Sequence, residues 1–211
     1  RSTLFPYTTL FRSLTVDVTV PAVTINTVAG DDVINIAEHA QAHIVSGTAT
    51  GAAAGDKVTV TIGGQTYTTV LDAAGNWSVG VPASVISGLS DGTVTVTASV
   101  TDAAGNTGTG THNVTVDTGL PSVAFNAISG DNVLNAVEKG QDLSVSGTSA
   151  NLAEGTVVTV ILNGKNYAAT TAADGTWSLT VPAADLAGLG EANYTLSATA
   201  TNGVGNSVSN T

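Results

Sequence analysis

Apolar and polar positions alternate along most of the chain. Residues 57–62 (Lys-Val-Thr-Val-Thr-Ile) and residues 92–100 interleave β-branched apolar side chains with threonine or another small residue. A period of two places alternate side chains on opposite faces of a strand, so each run predicts a β-strand with one buried face. Helical periodicity is confined to about one turn near residues 83–88. The pattern predicts an all-β fold.

Turn sequences separate the predicted strands. Gly63-Gly64 predicts a tight hairpin, and residues 72–76 and 102–106 share the sequence Asp-Ala-Ala-Gly-Asn, which is typical of a turn. About seven short strands in about one hundred residues is the pattern of an immunoglobulin-like (Ig-like) β-sandwich. The chain is long enough for two such sandwiches.

A shift of one hundred residues aligns the two halves of the chain without a gap. Of the 98 aligned pairs 38 are identical, so the halves are tandem copies of one unit. We predict Ig-like repeat 1 at residues 18–117 and Ig-like repeat 2 at residues 118–211, preceded at residues 14–17 by the tail of another repeat. Repeat 2 has no counterpart of residues 112–117, so we expect its last strand to be truncated.

The first thirteen residues differ from the rest of the chain. They contain both arginines and two of the three phenylalanines. Residues 3–13 resemble the translation of a sequencing adapter. We therefore expect residues 1–13 to be an artefact and exclude them from the fold.

Composition and charge exclude several functions. The formal net charge is −11, and it becomes −13 without Arg1 and Arg12. So few basic residues argue against binding to nucleic acid or to an anionic membrane surface. The absence of cysteine excludes disulfides and thiol nucleophiles. No apolar run approaches the roughly 20 residues of a membrane-spanning helix.

All three histidines lie in the first copy and no Ser-His-acid triad is evident, so we predict that the protein is not an enzyme.

Several linked motifs resemble a known family. They are Val-Thr-Val-Asp-Thr-Gly-Leu-Pro at 114–121, Ile-Ser-Gly-Asp-Asn-Val-Leu-Asn-Ala-Val-Glu at 128–138, Ala-Asp-Gly-Thr-Trp-Ser at 173–178 and Val-Pro at 181–182. Together they resemble the bacterial Ig-like repeats of giant surface adhesins of the type I-secreted, RTX or biofilm type. The resemblance implies many tandem copies in a long rod outside the cell, with Ca²⁺ at the junctions between repeats.

The sandwich order places the loops at two ends of each repeat. Residues 30–41, the trailing loop of repeat 1, should lie at the end that faces the next repeat. Residues 102–106, the leading loop, should lie at the opposite end with residues 47–56 and 72–76. The same names apply to the counterparts one hundred residues later. The linker, residues 117–121, should then bring Asp117 to the trailing loop of repeat 1.

Calcium is the best-supported chemistry, because it binds six to eight oxygens from carboxylates, amides and backbone carbonyls. Acids crowded at one end would repel each other without a cation. The candidate ligands are Asp31, Asp32, Asn35, Glu38 and Asp117 at the trailing end of repeat 1, Asp131, Asn132, Asn135 and Glu138 in repeat 2, and Asp17 and Asp102 before repeat 1. The alternative is that these residues only form turns. At the leading loop of repeat 2, Asn202 replaces the Asp of the first copy and makes a metal ligand there doubtful.

Two other groups of residues invite a functional interpretation. Trp77 and Trp177 follow turns and would suit a sugar-stacking platform, but we predict that both are core residues. His39 and His43 resemble a metal pair, but Lys139 and Leu143 replace them in the second copy. We therefore interpret the histidines as exposed or incidental.

The leading hypothesis is a structural stalk of a bacterial cell-surface adhesin, stiffened by calcium and presenting a distal binding region for cell adhesion or biofilm formation. Its partners would be the neighbouring repeats of the same chain, in a monomeric rod without membrane insertion. One alternative is a module that binds a glycan or a receptor, against which the 4% aromatic content argues. Another is a spacer in a secreted polysaccharide-active enzyme.

Overall fold

The structure is a computed structural model that describes residues 13–211. Of the adapter-like segment at residues 1–13, all but Ser13 lies outside the described residues, and its nature stays a prediction. In repeat 1 the elements are β1 (Ala22–Ile25), β2 (Val33–Ile34), α1 (Ile36–His39), β3 (His43–Thr50), β4 (Lys57–Ile62), β5 (Gln65–Val70), β6 (Asn76–Val81), α2 (Ala83–Ile86), β7 (Gly92–Thr101) and β8 (Thr107–Val116). In repeat 2 they are β9 (Ser122–Phe125), a 3-10 helix (Glu138–Gly140), β10 (Leu143–Ala150), β11 (Val157–Leu162), β12 (Lys165–Thr170), β13 (Thr176–Val181), α3 (Ala183–Ala187), β14 (Leu196–Thr201) and β15 (Ser207–Asn210).

Each repeat contains two β-sheets. The strand orders are β1-β3-β6 and β2-β8-β7-β4-β5 in repeat 1, and β13-β10-β9 and β12-β11-β14-β15 in repeat 2. In repeat 2 one buried cluster joins the sheets, with Val145 and Trp177 from one sheet and Val160 and Ala198 from the other. The predicted fold class, two tandem Ig-like β-sandwiches, is confirmed. No helix of the described part is long and apolar enough to cross a membrane.

The described chain divides into two compact units. One contains the described residues up to Asn26 with residues 46–79 and 96–112, and the other contains residues 27–45, 80–95 and 113–211. The trailing loop of repeat 1, the linker and repeat 2 therefore share one compact unit. The predicted repeat boundaries stay predictions.

Strand periodicity accounts for the burial of β4. Val58, Val60 and Ile62 are fully buried, whereas the threonines between them are partly exposed. The predicted hairpin follows, with Ile62 opposite Gln65 and positive φ angles at both turn glycines. Two consecutive residues with positive φ match the twist of the flanking strands, which explains the Gly-Gly sequence.

Both tryptophans lie in the core, as predicted. Trp77 is 3% exposed and Trp177 is 2% exposed. A glycine lies against each ring: a Cβ at Gly47 would be 2.5 Å from Cζ2 of Trp77, and a Cβ at Gly147 would be 2.3 Å from Cζ2 of Trp177. The indole rings therefore require glycine at both positions.

Two loop predictions need correction. Residues 47–50, expected in a loop, form the end of β3, so the connection is confined to residues 51–56. The trailing loop of repeat 1 contains the short helix α1, which was not predicted. The predicted turn near residues 83–88 is confirmed as α2, and its counterpart is α3.

Candidate functional site

The linker is hydrogen-bonded to the trailing end of repeat 1. The Asp117 amide donates to the Ile34 carbonyl at 3.0 Å. The amide and the hydroxyl of Thr118 donate to Oδ1 of Asp91 at 2.9 and 2.8 Å. These two bonds, led by the one from the Thr118 amide, lower the pKa of the Asp91 carboxyl. The Gly119 amide donates to Oδ1 of Asp117 at 2.9 Å, so three successive linker amides have partners.

One asparagine joins the linker to both neighbouring loops. Nδ2 of Asn206, in the leading loop of repeat 2, donates to the carbonyls of Asp117 at 2.9 Å and Gly119 at 3.2 Å. Its Oδ1 accepts from the Ile36 amide, in the trailing loop of repeat 1, at 2.9 Å. Asn206 is 2% exposed. Both hydrogens of its amide group are donated and its oxygen accepts, so this buried side chain has hydrogen-bond partners for all its polar atoms. It therefore connects the linker to both loops.

Asn202 adds to this connection. Its Nδ2 donates to the Gly119 carbonyl at 3.4 Å, and its Oδ1 accepts from the Asn206 amide at 2.9 Å. An aspartate would have no hydrogen to donate to Gly119. Repeat 2 therefore has Asn202, which contacts the linker, at the position where repeat 1 has the acidic Asp102.

The same arrangement recurs in simpler form before repeat 1. Nδ2 of Asn106 donates to the Asp17 carbonyl at 3.2 Å and to Oδ2 of Asp102 at 3.0 Å. The hydrogen bond from the Asn106 side chain is the largest cause that lowers the pKa of Asp102. Asp17 accepts from the Thr19 amide through its own side chain. The structure thus places the Asp17 carbonyl against the leading loop of repeat 1, and the metal site predicted there stays a prediction.

The trailing-loop acids fold back on their own backbone. Oδ1 of Asp31 accepts from the Val33 amide at 3.0 Å, and Oδ1 of Asp32 accepts from the Val28 amide at 2.8 Å. In repeat 2 the side chains of Asp131 and Asn132 accept the equivalent bonds at 2.9 Å. These are the bonds expected of turn-forming Asp and Asn.

The other trailing-loop candidates form a helix cap. Oδ1 of Asn35 accepts from the amides of Ala37 and Glu38, while Oε2 of Glu38 accepts from the Asn35 amide. Asn135 and Glu138 form the same bonds in repeat 2. The sequence Asn-x-x-Glu is a capping box, a signal that our interpretation as metal ligands overlooked.

The donor set matches calcium in chemistry, since all of the candidate side chains bind through oxygen. A carboxylate has about four acceptor positions, so one backbone bond leaves capacity for a cation. Within residues 13–211, however, no three Asp, Glu or His side chains converge closely enough to hold a metal ion. A calcium site would therefore have to include amide or backbone carbonyl oxygens. The ligand set stays a prediction.

His39 and His43 are half-buried, so the expectation that they are exposed is wrong. Nε2 of His39 lies 3.0 Å from the Leu89 carbonyl, and Nζ of Lys139 donates to the Leu189 carbonyl. The two side chains differ, but each places a nitrogen against the equivalent leucine carbonyl of its own repeat. Comparing the repeats by residue identity concealed this shared contact.

Sequence reasoning also missed Asp91, Asn202 and Asn206 as linker contacts. Asn206 carried a signal, because the leading loops of both repeats end in Asn. Asp91 carried none, because an Asp-Gly pair is typical of any tight turn.

Comparison with known proteins assigns this architecture to a family. Residues 19–118 match the bacterial Ig-like domain family. The solved structure of a Ca²⁺-stabilised adhesin with which an Antarctic bacterium binds ice is 41% identical over 90% of this chain, with a TM-score of 0.61. A structure of a 1.5-MDa bacterial ice-binding adhesin is 38% identical over 90%, with a TM-score of 0.60. No curated protein matches the chain.

A third structure is a single bacterial Ig-like domain from the M. primoryensis ice-binding adhesin. It is 47% identical, covers 47% of this chain and is itself 99% covered, with a TM-score of 0.38. The chain spans 47% and 61% of the two longer adhesin structures. Residues 19–118 belong to the bacterial Ig-like domains, and the predicted resemblance of the chain to adhesin repeats is confirmed.

Proposed function

We propose that the two repeats are stalk segments of a bacterial cell-surface adhesin, outside the cell, that hold a distal binding region away from the surface for cell adhesion or biofilm formation. The hydrogen-bonded linker is the observation that carries this proposal. A spacer transmits position only if its joints are ordered, and flexible linkers behave instead as random coils. The 38% and 41% identity to adhesin structures supports the same role.

The linker contacts explain how a joint is held. Repeat 1 binds the linker through Asp91 and Ile34, and repeat 2 binds it through Asn206. Nδ2 of Asn151 also donates to the Leu120 carbonyl at 3.0 Å. Pro121 follows with a restricted φ. Each of these contacts removes backbone freedom that would otherwise allow neighbouring repeats to swivel.

Calcium at the junctions is the second part of the proposal. The ligands would come from the trailing-loop acids and Asp117 after repeat 1, from their counterparts in repeat 2, and from Asp17 and Asp102 before repeat 1. The oxygen chemistry of these residues supports it, as does the description of a 41% identical structure as Ca²⁺-stabilised. A chain with a formal charge of −11 also gains from a cation that reduces repulsion between acids.

The calcium proposal is tested by small-angle scattering and thermal unfolding in calcium and in chelator. We expect calcium to lengthen the particle and raise the melting temperature of the wild-type chain. Asp117→Asn keeps the side-chain shape and removes one charge, and it should weaken both responses. Glu191→Gln removes an acid that belongs to no proposed site and should respond like the wild type. Identical wild-type profiles with and without calcium would refute calcium binding at the junction.

The stalk role is tested separately, in chelator. Inserting Gly-Ser-Gly-Ser between Gly119 and Leu120 should separate the linker contacts and broaden the distribution of interatomic distances from scattering. An unchanged distribution would show that the linker contacts do not order the joint, and would contradict the stalk role whatever calcium does.

A further inference from the structure

Two asparagines of repeat 2 are followed directly by glycine, at Asn163-Gly164 and Asn202-Gly203. Repeat 1 has Gly63-Gly64 and Asp102-Ala103 at the corresponding positions. Asparagine is one of the thermolabile residues. When glycine follows it, the glycine nitrogen can attack the side-chain carbonyl carbon, because glycine has no Cβ to hinder the approach. At Asn202 such a reaction would alter a side chain that contacts the linker.

The leading loop of repeat 2 holds the Asn202 side chain in a geometry that favours this attack. Its Oδ1 accepts from the Val204 amide at 3.2 Å and from the Asn206 amide at 2.9 Å. The bond to the amide two residues on folds the side chain back over the peptide bond to Gly203. Negative charge develops on Oδ1 during the attack, and two backbone amides already donate to that oxygen. Preorganised donors of this kind stabilise the transition state for attack on a carbonyl.

Gly203 leaves room for the reaction and for a control. It is exposed, and no atom lies within 4 Å of the position that a Cβ would occupy. An alanine would therefore fit here, as Ala103 does at the corresponding position of repeat 1. Gly203→Ala should keep the loop and change only the ease of attack.

The reaction is a deamidation that consumes water. The Gly203 nitrogen gives up its proton and forms a bond to Cγ of Asn202, and the bond from Cγ to Nδ2 breaks, so that Nδ2 leaves as ammonia with that proton. Water then opens the five-membered imide. Addition at Cγ restores the backbone and leaves aspartate, whereas addition at the backbone carbonyl leaves isoaspartate. No electrons are transferred, and both products carry a carboxylate in place of the neutral amide.

The leading loop of repeat 1 shows that the fold accepts the aspartate product. Oδ1 of Asp102 accepts from the Ala104 and Asn106 amides at 3.0 and 2.8 Å, as Oδ1 of its counterpart does in repeat 2. Oδ2 of Asp102 also accepts from Nδ2 of Asn106 at 3.0 Å. The same Nδ2 donates to the Asp17 carbonyl. Aspartate thus fits the loop, and it shares the neighbouring asparagine with the backbone that precedes the repeat.

We propose that Asn202 is a site of spontaneous deamidation, and that the reaction converts the contacts of the linker to the form seen before repeat 1. In the unmodified chain, Nδ2 of Asn202 donates to the Gly119 carbonyl, and Nδ2 of Asn206 donates to the carbonyls of Asp117 and Gly119. After the reaction an oxygen replaces Nδ2 of Asn202 and accepts one hydrogen from Asn206. Both bonds to Gly119 are then lost, and the bond to Asp117 remains. The linker would loosen irreversibly as the protein ages.

The first experiment follows the reaction in the folded 211-residue chain. The chain is kept at alkaline pH, where the attacking nitrogen loses its proton more readily, and its fragments are analysed by mass spectrometry. We expect Asn202 to convert to a mixture of aspartate and isoaspartate. Gly203→Ala should slow this conversion by about tenfold, because a Cβ restricts the attacking residue. The rate at Asn163 should not change in that variant.

Two results of this experiment would overturn the proposed site. One is an Asn202 that stays intact in the folded chain, whether or not Asn163 reacts. The other is an equal rate at Asn202 in the wild type and in Gly203→Ala.

The second experiment tests the consequence for the linker. Asn202→Asp reproduces the aspartate product, and Asn202→Ala removes the contact to Gly119 without adding an acceptor. In NMR spectra, Asn202→Asp should shift the side-chain amide of Asn206 and the carbonyl of Gly119, and the aged wild-type chain should develop the same shifts. Asn202→Ala should leave the Asn206 side chain on the linker. An Asn206 side-chain amide with the same resonances in both variants would overturn the conversion.

Discussion

The trailing ends of the two repeats have similar sequences and different environments. Val28, Ile34 and Val96 are fully buried in repeat 1, while Ile128, Leu134 and Leu196 are partly exposed in repeat 2. In repeat 1, Thr115 and Val116 of β8 pair with Val33 and Ile34, which lie 82 positions earlier in the chain. A position is therefore made a core position by its distant partners as much as by its own side chain.

The largest predicted effect comes from removing two buried side chains of β8 in repeat 1. Val114→Ala with Val116→Ala should destabilise repeat 1 by about 4 kcal/mol, because each change deletes two buried carbons and leaves a cavity. Urea unfolding measures the change. The exposed valines Val133 and Val137 provide the control, since their replacement by alanine should cost less than about 0.5 kcal/mol. Equal losses for both pairs would contradict the burial of Val114 and Val116 in the core of repeat 1.

The next largest loss of stability should be the same in both repeats, and it comes from replacing the glycine that packs against each tryptophan. Gly47→Ala and Gly147→Ala would place a Cβ within 2.0 Å and 1.9 Å of the Thr24 and Ala124 carbonyl oxygens, besides the tryptophan ring. Overpacking of this kind costs about 3 kcal/mol. Gly64→Ala and Gly164→Ala, in open space at the hairpins, separate crowding from the loss of positive φ. A marked difference between the two core glycines would show that the two cores do not pack alike.

A smaller loss of stability is expected when the asparagine of each leading loop is replaced. Asn206→Ala leaves the Ile36 amide and the Asp117 carbonyl without this partner, and leaves the Gly119 carbonyl with Asn202, so we expect a loss of about 2 kcal/mol. Asn106→Ala removes one contact to the Asp17 carbonyl and should cost about 1 kcal/mol. Thermal unfolding and hydrogen exchange of the Ile36 amide measure both variants. Rapid exchange of that amide in the wild type would contradict the contact.

The smallest effect depends on pH. Hydrogen bonds from Thr118 lower the folded-state pKa of Asp91 below its ordinary value of 3.8. A lowered pKa means that the folded state favours the carboxylate, so this contribution to stability is complete well above pH 3.8 and is lost as the pH falls through the folded-state pKa. NMR titration should give a midpoint below 3.8 for Asp91. Thr118→Val keeps the amide bond and should move the midpoint part of the way back. No movement would show that the hydroxyl contributes nothing.

The sequence predicted the repeats, their strands and the core tryptophans because each depends on short-range periodicity or on comparison of the copies. It did not predict the linker contacts of Asp91 and Asn206, because these depend on which loops the fold brings together. It also assigned Asn35 and Glu38 to a metal, although their spacing equally encodes a helix cap. Oxygen-rich loops are ambiguous for this reason: the same atoms satisfy backbone amides or a cation.

The hydrogen-bonded linker also determines how the chain would respond to tension. The Asn206 amide holds the Asp117 and Gly119 carbonyls, so we expect tension on the repeats to break these hydrogen bonds before the linker extends. Five residues extend to at most about 17 Å, so release of these bonds yields little extra length. A chain of such joints would be nearly inextensible under weak force and would lengthen further only when a whole sandwich unfolds.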